Sequence, residues 1–168
     1  MPIKVAINGF GRIGRAAFKA ALTKPSLKVV AINDLMSPDT LAHLLRYDTV
    51  YGRYSRKVTS DQKHLIVDGV KYQLLAESDP TRLPWKKLGV DVVLECTGRF
   101  TKKQAAAQHL KAGAKKVILS APAKGGGVPT YLLGVNVSGK ISENVISNAS
   151  CTTNCISPIS QVIVAAFG

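Results

Sequence analysis

The residue with the clearest chemical potential is Cys151, in the stretch "SNASCTTNC" that runs from Ser147 to Cys155. A cysteine in this setting can be a nucleophile, a metal ligand or a buried structural thiol. A nucleophilic cysteine must be a thiolate near neutral pH, and it therefore needs a nearby positive charge, a base or a helix N-terminus. A helix beginning just after Ser150 would direct its free N–H groups towards the sulfur.

Two local patterns leave the start of this helix open. Ser157-Pro158 is itself a favourable helix start, which would place Cys151 in a preceding turn. Alternatively, one helix runs on from Ser150 and contains the proline as a kink. The residues alone therefore leave a nucleophile and an inert thiol as alternatives for Cys151.

The other two cysteines are assigned structural roles. Cys155 lies four residues after Cys151, on one helical face, but no further cysteine or suitably placed histidine completes a metal site, so no metal is expected. Cys96 ends an apolar segment and is expected in the core. Three cysteines are too few for a disulfide framework, which favours a reducing, cytoplasmic environment.

A second motif with chemical meaning is G-x-G-x-x-G, formed by Gly9, Gly11 and Gly14. It follows an apolar β-branched segment, opens a helical pattern, and is followed by Asp34 twenty residues after Gly14. This is the arrangement of a dinucleotide-binding turn, in which the pyrophosphate approaches the glycine backbone and the start of the helix. A structural glycine turn with a solvated aspartate is the alternative.

Asp34 also predicts which dinucleotide is bound. A carboxylate at this position accepts hydrogen bonds from the adenosine ribose hydroxyls and repels a 2′-phosphate. No basic residue follows it, since the next residues are Leu35 and Met36. The sequence therefore predicts NAD rather than NADP.

The elements around these motifs alternate in type. The patterns predict strands at 3–7, 28–33, 90–98, 115–120 and 144–149, and helices at 12–22, after Ser37, from Thr101 to Gly113 and near the C-terminal cysteines. Ser37-Pro38-Asp39 is typical of a capped helix start, and Thr101 with Gln104 predicts a capping box. Asp68-Gly69 predicts a tight hairpin. The fold class is therefore α/β, a doubly wound, mostly parallel sheet with an inserted β-hairpin.

Composition excludes several classes of protein. The chain has 168 residues, a formal net charge of +13 and no apolar run near the roughly 18 residues of a membrane helix. Its N-terminus lacks the features of a secretory signal. The basic residues are scattered and form no tail, so we expect a solvated basic surface and no specific nucleic-acid or membrane partner.

Together these motifs identify a family resemblance. The chain resembles phosphorylating glyceraldehyde-3-phosphate dehydrogenases over essentially its whole length, through stretches that match in order and spacing: "INGFGRIGR", "IND", "YDTVYGR", "LPW", "CTGRF", "LSAPAKG" and "SNASCTTNC". The resemblance implies a Rossmann domain over residues 1–150 and the first helix of a catalytic domain over residues 151–168. It also implies that a helix starts directly after the cysteine.

The resemblance assigns residues to roles. It implies Cys151 as the nucleophile, Ser150 and Thr152 as ligands of phosphate, and NAD bound by a larger set that comprises Asn8, Gly9, Phe10, Gly11, Arg12, Ile13, Asp34, Ser78, Thr97, Gly98 and Ser120. Ser78 departs from the basic residue often found at its position. The implied reaction is the oxidative phosphorylation of glyceraldehyde 3-phosphate through a cysteine thioester, in a homotetramer.

The family's catalytic histidine has no counterpart here. His43, His64 and His109 match no catalytic position and are expected to be surface or helix residues. The chain resembles the amino-terminal half of the family, so we expect these residues alone to be inactive. Erythrose-4-phosphate dehydrogenase and a non-catalytic, stand-alone NAD-binding module are the alternative functions.

Overall fold

The structure is a computed structural model that describes all 168 residues. Its strands are β1 (Ile3–Asn8), β2 (Leu27–Asn33), β3 (Tyr47–Asp48), β4 (Gly52–Arg53), β5 (Val58–Ser60), β6 (His64–Val67), β7 (Val70–Leu75), β8 (Val92–Glu95), β9 (Lys116–Leu119) and β10 (Val145–Ser147). Its helices are α1 (Arg12–Ala21), α2 (Pro38–Arg46), α3 (Trp85–Leu88), α4 (Lys103–Ala106), α5 (Gln108–Lys111) and α6 (Cys151–Phe167), with a 3₁₀ turn at Pro80–Arg82.

Eight of the strands form one sheet in the order β10-β9-β8-β1-β2-β7-β6-β5. The six strands from β10 to β7 in this order are all parallel to one another. From β1 the chain first builds outwards to β2 and later returns to add β8 on the other side. This reversal beside β1 is a topological switch point, where open α/β sheets bind ligands outside the carboxyl ends of their strands.

The predicted hairpin is confirmed and extends this same sheet. Asp68 and Gly69 have φ angles of 49° and 84°, as a tight turn between β6 and β7 requires. β6 is antiparallel to β7, and β5, which the sequence patterns did not predict, adds a further antiparallel strand. β3 and β4 form a small separate ribbon.

Both faces of the sheet are covered, which confirms the doubly wound fold. Ala6 and Ile7 are adjacent residues of β1 with no exposed surface, and they belong to cores on opposite faces. On the face of Ile7, Phe18 of α1 makes edge-to-face contacts with Phe10 and Tyr72 at centroid distances of 5.5 and 4.9 Å. On the face of Ala6, Trp85 of α3 is fully buried.

Of the two helix caps predicted from the sequence, at Ser37 and Thr101, the first is confirmed and the second is wrong. Ser37 caps α2 as expected, because its side-chain oxygen accepts a hydrogen bond from the N–H of Thr40 at 3.3 Å. The capping box at Thr101 is wrong. Thr101 is buried one residue before the actual N-cap, Lys102, whose side chain makes no capping bond.

The predicted single helix from Thr101 to Gly113 is also wrong. It is divided at Ala107 into the short helices α4 and α5. The division directly precedes α5, whose His109 side chain is fully buried beside Glu95 of β8. Gly113, with a φ angle of 104°, ends α5 as predicted.

The C-terminal helix resolves the alternative that the sequence left open. α6 begins at Cys151 and continues through Pro158, and the Ser150 side chain accepts a hydrogen bond from the N–H of Thr153 at 3.0 Å. No residue of α6 is buried. None of the helices combines the length and the apolar character needed to span a lipid bilayer.

Candidate functional site

A cleft of about 280 Å³ lies at the switch point, outside the carboxyl ends of β1, β2, β7 and β8. Nine of its twelve lining residues are polar or glycine. The lining residues are Asn8, Gly9, Gly11, Asn33, Asp34, Leu35, Glu77, Ser78, Cys96, Thr97, Arg99 and Phe100. The cleft therefore brings the glycine turn, the acid after β2 and the turn after β8 to one place.

The glycines of the turn have different reasons to lack a side chain. A Cβ on Gly9 would lie 2.7 Å from the Thr97 nitrogen, and a Cβ on Gly14 would lie 2.0 Å from the Gly9 carbonyl oxygen. Both are required by packing within the protein. A Cβ on Gly11 would meet nothing within 4 Å, so the space in front of Gly11 is open. This open space is where a bound pyrophosphate has to approach the backbone.

The start of α1 is suited to an anion. Gly11 is its N-cap, no side chain caps it, and its first turn contains no acidic residue. The N–H groups of the first helical residues have no intrahelical partners, and the helix dipole adds positive potential at this end. Arg12 and Ile13 are exposed there.

Asp34 connects the acid side of the cleft to the glycine turn. Its Oδ2 accepts a hydrogen bond from the Phe10 N–H at 2.7 Å, and its Oδ1 accepts one from the Met36 N–H at 3.0 Å. Each carboxylate oxygen retains a further lone pair. Asp34 is only half buried, so it can accept additional hydrogen bonds from a ligand.

The remaining residues predicted to bind the cofactor fall into two groups. Asn8, Ser78 and Thr97 line the cleft beside the glycines. Phe10, Gly98 and Ser120 do not: the Phe10 side chain is in the core, Gly98 is exposed between two lining residues, and Ser120 is half buried after β9.

Sequence reasoning missed several residues of the cleft. Asn33 accepts a hydrogen bond from the Glu77 N–H at 2.9 Å and donates from Nδ2 to the Asn8 Oδ1 at 2.7 Å. The other missed lining residues are Leu35, Glu77, Cys96, Arg99 and Phe100. Their shared signal is position, because each lies at or shortly after the carboxyl end of a parallel strand.

The histidines lie away from Cys151. His43 is exposed on α2, and His64 lies on β6 with its Nδ1 2.9 Å from an Asp61 oxygen. His109 is in a helix as expected, and its ring is fully buried beside Glu95 and Trp85.

Cys151 lies at the exposed N-terminus of α6. Its Sγ is 4.0 Å from the hydroxyl oxygen of Thr152. Because β10 is parallel to β9, β8 and β1, which follow it in the sheet, Cys151 lies at the same edge of the sheet as the cleft. Three strand spacings separate β10 from β1, which corresponds to about 14 Å. Ser150 is half buried, and Thr152 is exposed.

Cys96 differs from Cys151 in its surroundings. Burial raises the pKa of the Cys96 thiol to about 11, while a hydrogen bond with Ser120 opposes the shift. Cys96 packs against the core as expected, but it also lines the cleft. No group of three or more histidine, cysteine, aspartate or glutamate side chains is arranged to hold a metal ion.

The switch-point cleft, the open glycine turn and the acid after β2 define a dinucleotide-binding α/β domain. Residues 3–103 match the family model described as "Glyceraldehyde 3-phosphate dehydrogenase, NAD binding domain". This match confirms NAD as the cofactor of the domain. The chain belongs to the glyceraldehyde-3-phosphate dehydrogenase family.

Similar proteins agree with this assignment. The glyceraldehyde-3-phosphate dehydrogenase of Geobacillus stearothermophilus is 53% identical over 170 residues, which cover 100% of this chain and 50% of that protein. Glyceraldehyde-3-phosphate dehydrogenase 1 of Bacillus subtilis is 52% identical with the same coverage, and that of Kluyveromyces lactis is 48% identical over 99% of this chain and 50% of its own length. The chain thus spans about half the length of these relatives.

The glycine contacts predict opposite effects of two alanine substitutions on stability. Gly14→Ala should lower the free energy of unfolding by about 2 kcal/mol or more, because its Cβ collides with backbone. Gly11→Ala, the matched control, should change it by less than about 0.5 kcal/mol. Urea denaturation followed by circular dichroism measures both, and equal losses would contradict the assignment of Gly14 to packing and Gly11 to open space.

Proposed function

We propose that this cleft binds NAD, with the pyrophosphate at the start of α1 and the adenosine ribose at Asp34. The observation that carries the proposal is the open space in front of Gly11, directly at a helix start without a capping side chain. The packing of the protein does not itself require a glycine there. The half-buried Asp34 carboxylate supports the ribose assignment, because it has free lone pairs facing the cleft.

We further propose that residues 1–150 form the NAD-binding unit and that Cys151 begins the catalytic one. Cys151 lies at the same sheet edge as the cleft, and its sulfur is exposed at a helix N-terminus. Thr97 and Ser78 contribute to the cofactor side of this edge. Ser150 and Thr152 flank the cysteine and offer hydroxyl groups to a phosphate of the substrate.

The proposed activity is the oxidative phosphorylation of glyceraldehyde 3-phosphate, in a protein of the length of the relatives. The Cys151 thiolate attacks the aldehyde carbon and forms a thiohemiacetal on Sγ. Bound NAD would accept the hydride that leaves this carbon and a base would take the hydroxyl proton, so that the carbon attached to Sγ becomes the carbonyl carbon of a thioester. Inorganic phosphate then attacks this carbon, the bond to Sγ breaks, and an acyl phosphate leaves with the thiolate regenerated.

The Cys151 environment supports the first step. The N–H groups at the start of α6 are near the sulfur, and a helix N-terminus favours negative charge. A homotetramer and a cytoplasmic location are proposed with this activity, from the family resemblance. The scattered basic surface suits the anionic substrate, phosphate and cofactor, and no nucleic-acid or membrane partner is proposed.

The charge on Asp34 predicts cofactor preference. The wild-type chain should bind NAD at least tenfold more tightly than NADP, because a carboxylate repels the 2′-phosphate. Asp34→Asn should narrow this ratio, since asparagine carries no charge and can still accept the Phe10 N–H bond, although its NH₂ group loses the bond from the exposed Met36 N–H. Isothermal titration calorimetry with both nucleotides measures the ratio. Equal affinity of the wild-type chain for NAD and NADP would overturn the assignment of Asp34.

Alkylation tests the helix start at Cys151. Near neutral pH, iodoacetamide should modify the exposed Cys151 well before Cys96, whose pKa is raised to about 11 by burial. Cys155 provides an internal control, because it is exposed on the same helix but one turn further along. Peptide mass spectrometry should show a several-fold higher rate at Cys151 than at Cys155. Equal rates would argue against activation by the helix N-terminus.

The rate of NADH formation catalysed by the 168 residues alone should be close to the uncatalysed rate. Cys151 has no histidine in hydrogen-bonding contact in this chain, since His109 is buried in a separate cluster and His43 and His64 lie on α2 and β6. Absorbance at the NADH band, recorded with glyceraldehyde 3-phosphate, NAD and phosphate, measures this. Appreciable NADH formation that Cys151→Ser abolishes would show that this cysteine works without a histidine.

A further inference from the structure

A buried carboxylate lies behind the cleft. Glu95 ends β8, and its side chain is 1% exposed. Its Oε1 accepts hydrogen bonds from the Thr97 N–H at 2.8 Å and from the Thr97 hydroxyl. Its Oε2 accepts one from the Asn8 Nδ2 at 2.6 Å and lies 3.0 Å from the His109 Nε2. No lysine or arginine pairs with this carboxylate.

Trp85 determines which nitrogen of His109 carries the proton. The Trp85 Nε1–H lies 3.0 Å from the His109 Nδ1, and an indole N–H can only donate. Nδ1 must therefore be the acceptor, and the proton of the neutral ring is on Nε2. In this tautomer, His109 donates to Glu95, so the carboxylate is satisfied by four neutral N–H or O–H donors.

The Glu95 bonds fix the turn that forms one wall of the cleft. The Thr97 hydroxyl donates to Glu95 and accepts the Arg99 N–H at 3.0 Å. The Thr97 nitrogen is also the atom against which Gly9 packs. Thr97, Arg99 and Phe100 all line the cleft, whereas the Glu95 side chain is shielded from solvent and is not a lining group.

We propose that Glu95 is a positioning residue for cofactor binding: through Thr97 it fixes the turn after β8, and Trp85 keeps His109 in the tautomer that donates to it. This inference rests on the function proposed above. It assigns to Glu95, His109 and Trp85 an indirect part in binding NAD, without contact to the ligand.

Glutamine cannot replace Glu95 in this arrangement. If its NH₂ group faces Thr97, it opposes the Thr97 backbone N–H, which can only donate. If the NH₂ group faces Asn8 and His109 instead, it opposes the Asn8 Nδ2, which donates to this position. His109 must then also accept on Nε2 and carry its proton on Nδ1, where it opposes the Trp85 N–H. Either orientation leaves two buried donors facing each other, although the two side chains have nearly the same shape.

The first test compares Glu95→Gln with the control Glu143→Gln. Glu143 is an exposed glutamate that bonds to the side chains of Tyr131 and Ser142, outside the cleft. Titration calorimetry with NAD should show about a tenfold weaker Kd for Glu95→Gln, which corresponds to about 1.4 kcal/mol, and an unchanged Kd for Glu143→Gln. Circular dichroism at the titration temperature establishes that each variant is folded.

The outcomes separate the two proposals. A wild-type chain that does not bind NAD overturns the function proposed above, and this role of Glu95 with it. If the wild-type chain binds NAD and the folded Glu95→Gln variant binds it equally well, only the positioning role is overturned. A lower melting temperature with an unchanged Kd also overturns the positioning role, because Glu95 is then merely stabilising.

A second test uses the wild-type chain and can overturn the proposal even if Glu95→Gln does not fold. Nitrogen-15 NMR at neutral pH should show His109 protonated on Nε2 and bare on Nδ1. Hydrogen exchange of the Thr97 amide should be slow without NAD, because its N–H is held by a buried carboxylate. A proton on Nδ1, or rapid exchange of the Thr97 amide, would overturn the inference.

Discussion

The close packing of the glycine turn against the end of β8 is the constraint on which the site depends. A side chain on Gly9 would collide with Thr97, and one on Gly14 would collide with the turn itself. Because neither exists, the Cys96 N–H reaches the Asn8 carbonyl at 2.7 Å and the Phe10 N–H reaches Asp34 at 2.7 Å. The turn, the acid and the neighbouring strand are thus fixed relative to one another, while Gly11 faces open space.

The parallel sheet places this local contact at an edge where other candidate functional residues also lie. All parallel strands deliver their carboxyl ends to the same side, so residues far apart in the chain become neighbours there. Asn8, Asn33 and Glu95 are the last residues of β1, β2 and β8, and they form a continuous hydrogen-bonded row. Cys151 follows β10 at the same edge. A cofactor lying along this edge can therefore connect the glycine turn with the cysteine.

The sequence predicted the features that depend on local chemistry. Ser37 as a cap, Asp68-Gly69 as a turn and the glycine motif are short patterns with a direct backbone cause, and the structure has all three. The prediction from Thr101 to Gly113 used the local pattern alone, whereas this segment also makes long-range contacts, such as that of the buried His109 with Glu95. Glu95 was missed for the same reason, since its donors come from residues up to 87 positions away.

Glu95 and Asp34 lie at the same edge of the sheet, but their different burial gives the two carboxylates different roles. Glu95 is fully enclosed and accepts four hydrogen bonds from the protein, so it has no capacity left for a ligand. Asp34 is half buried and accepts only two backbone hydrogen bonds, so it can orient the glycine turn and still bind a hydroxyl group. A buried charge is tolerated only when all of its hydrogen bonds are formed, and these hydrogen bonds hold the neighbouring residues in place. The two acids therefore have complementary roles. Glu95 fixes the turn that forms one wall of the cleft, and Asp34 faces the space inside the cleft.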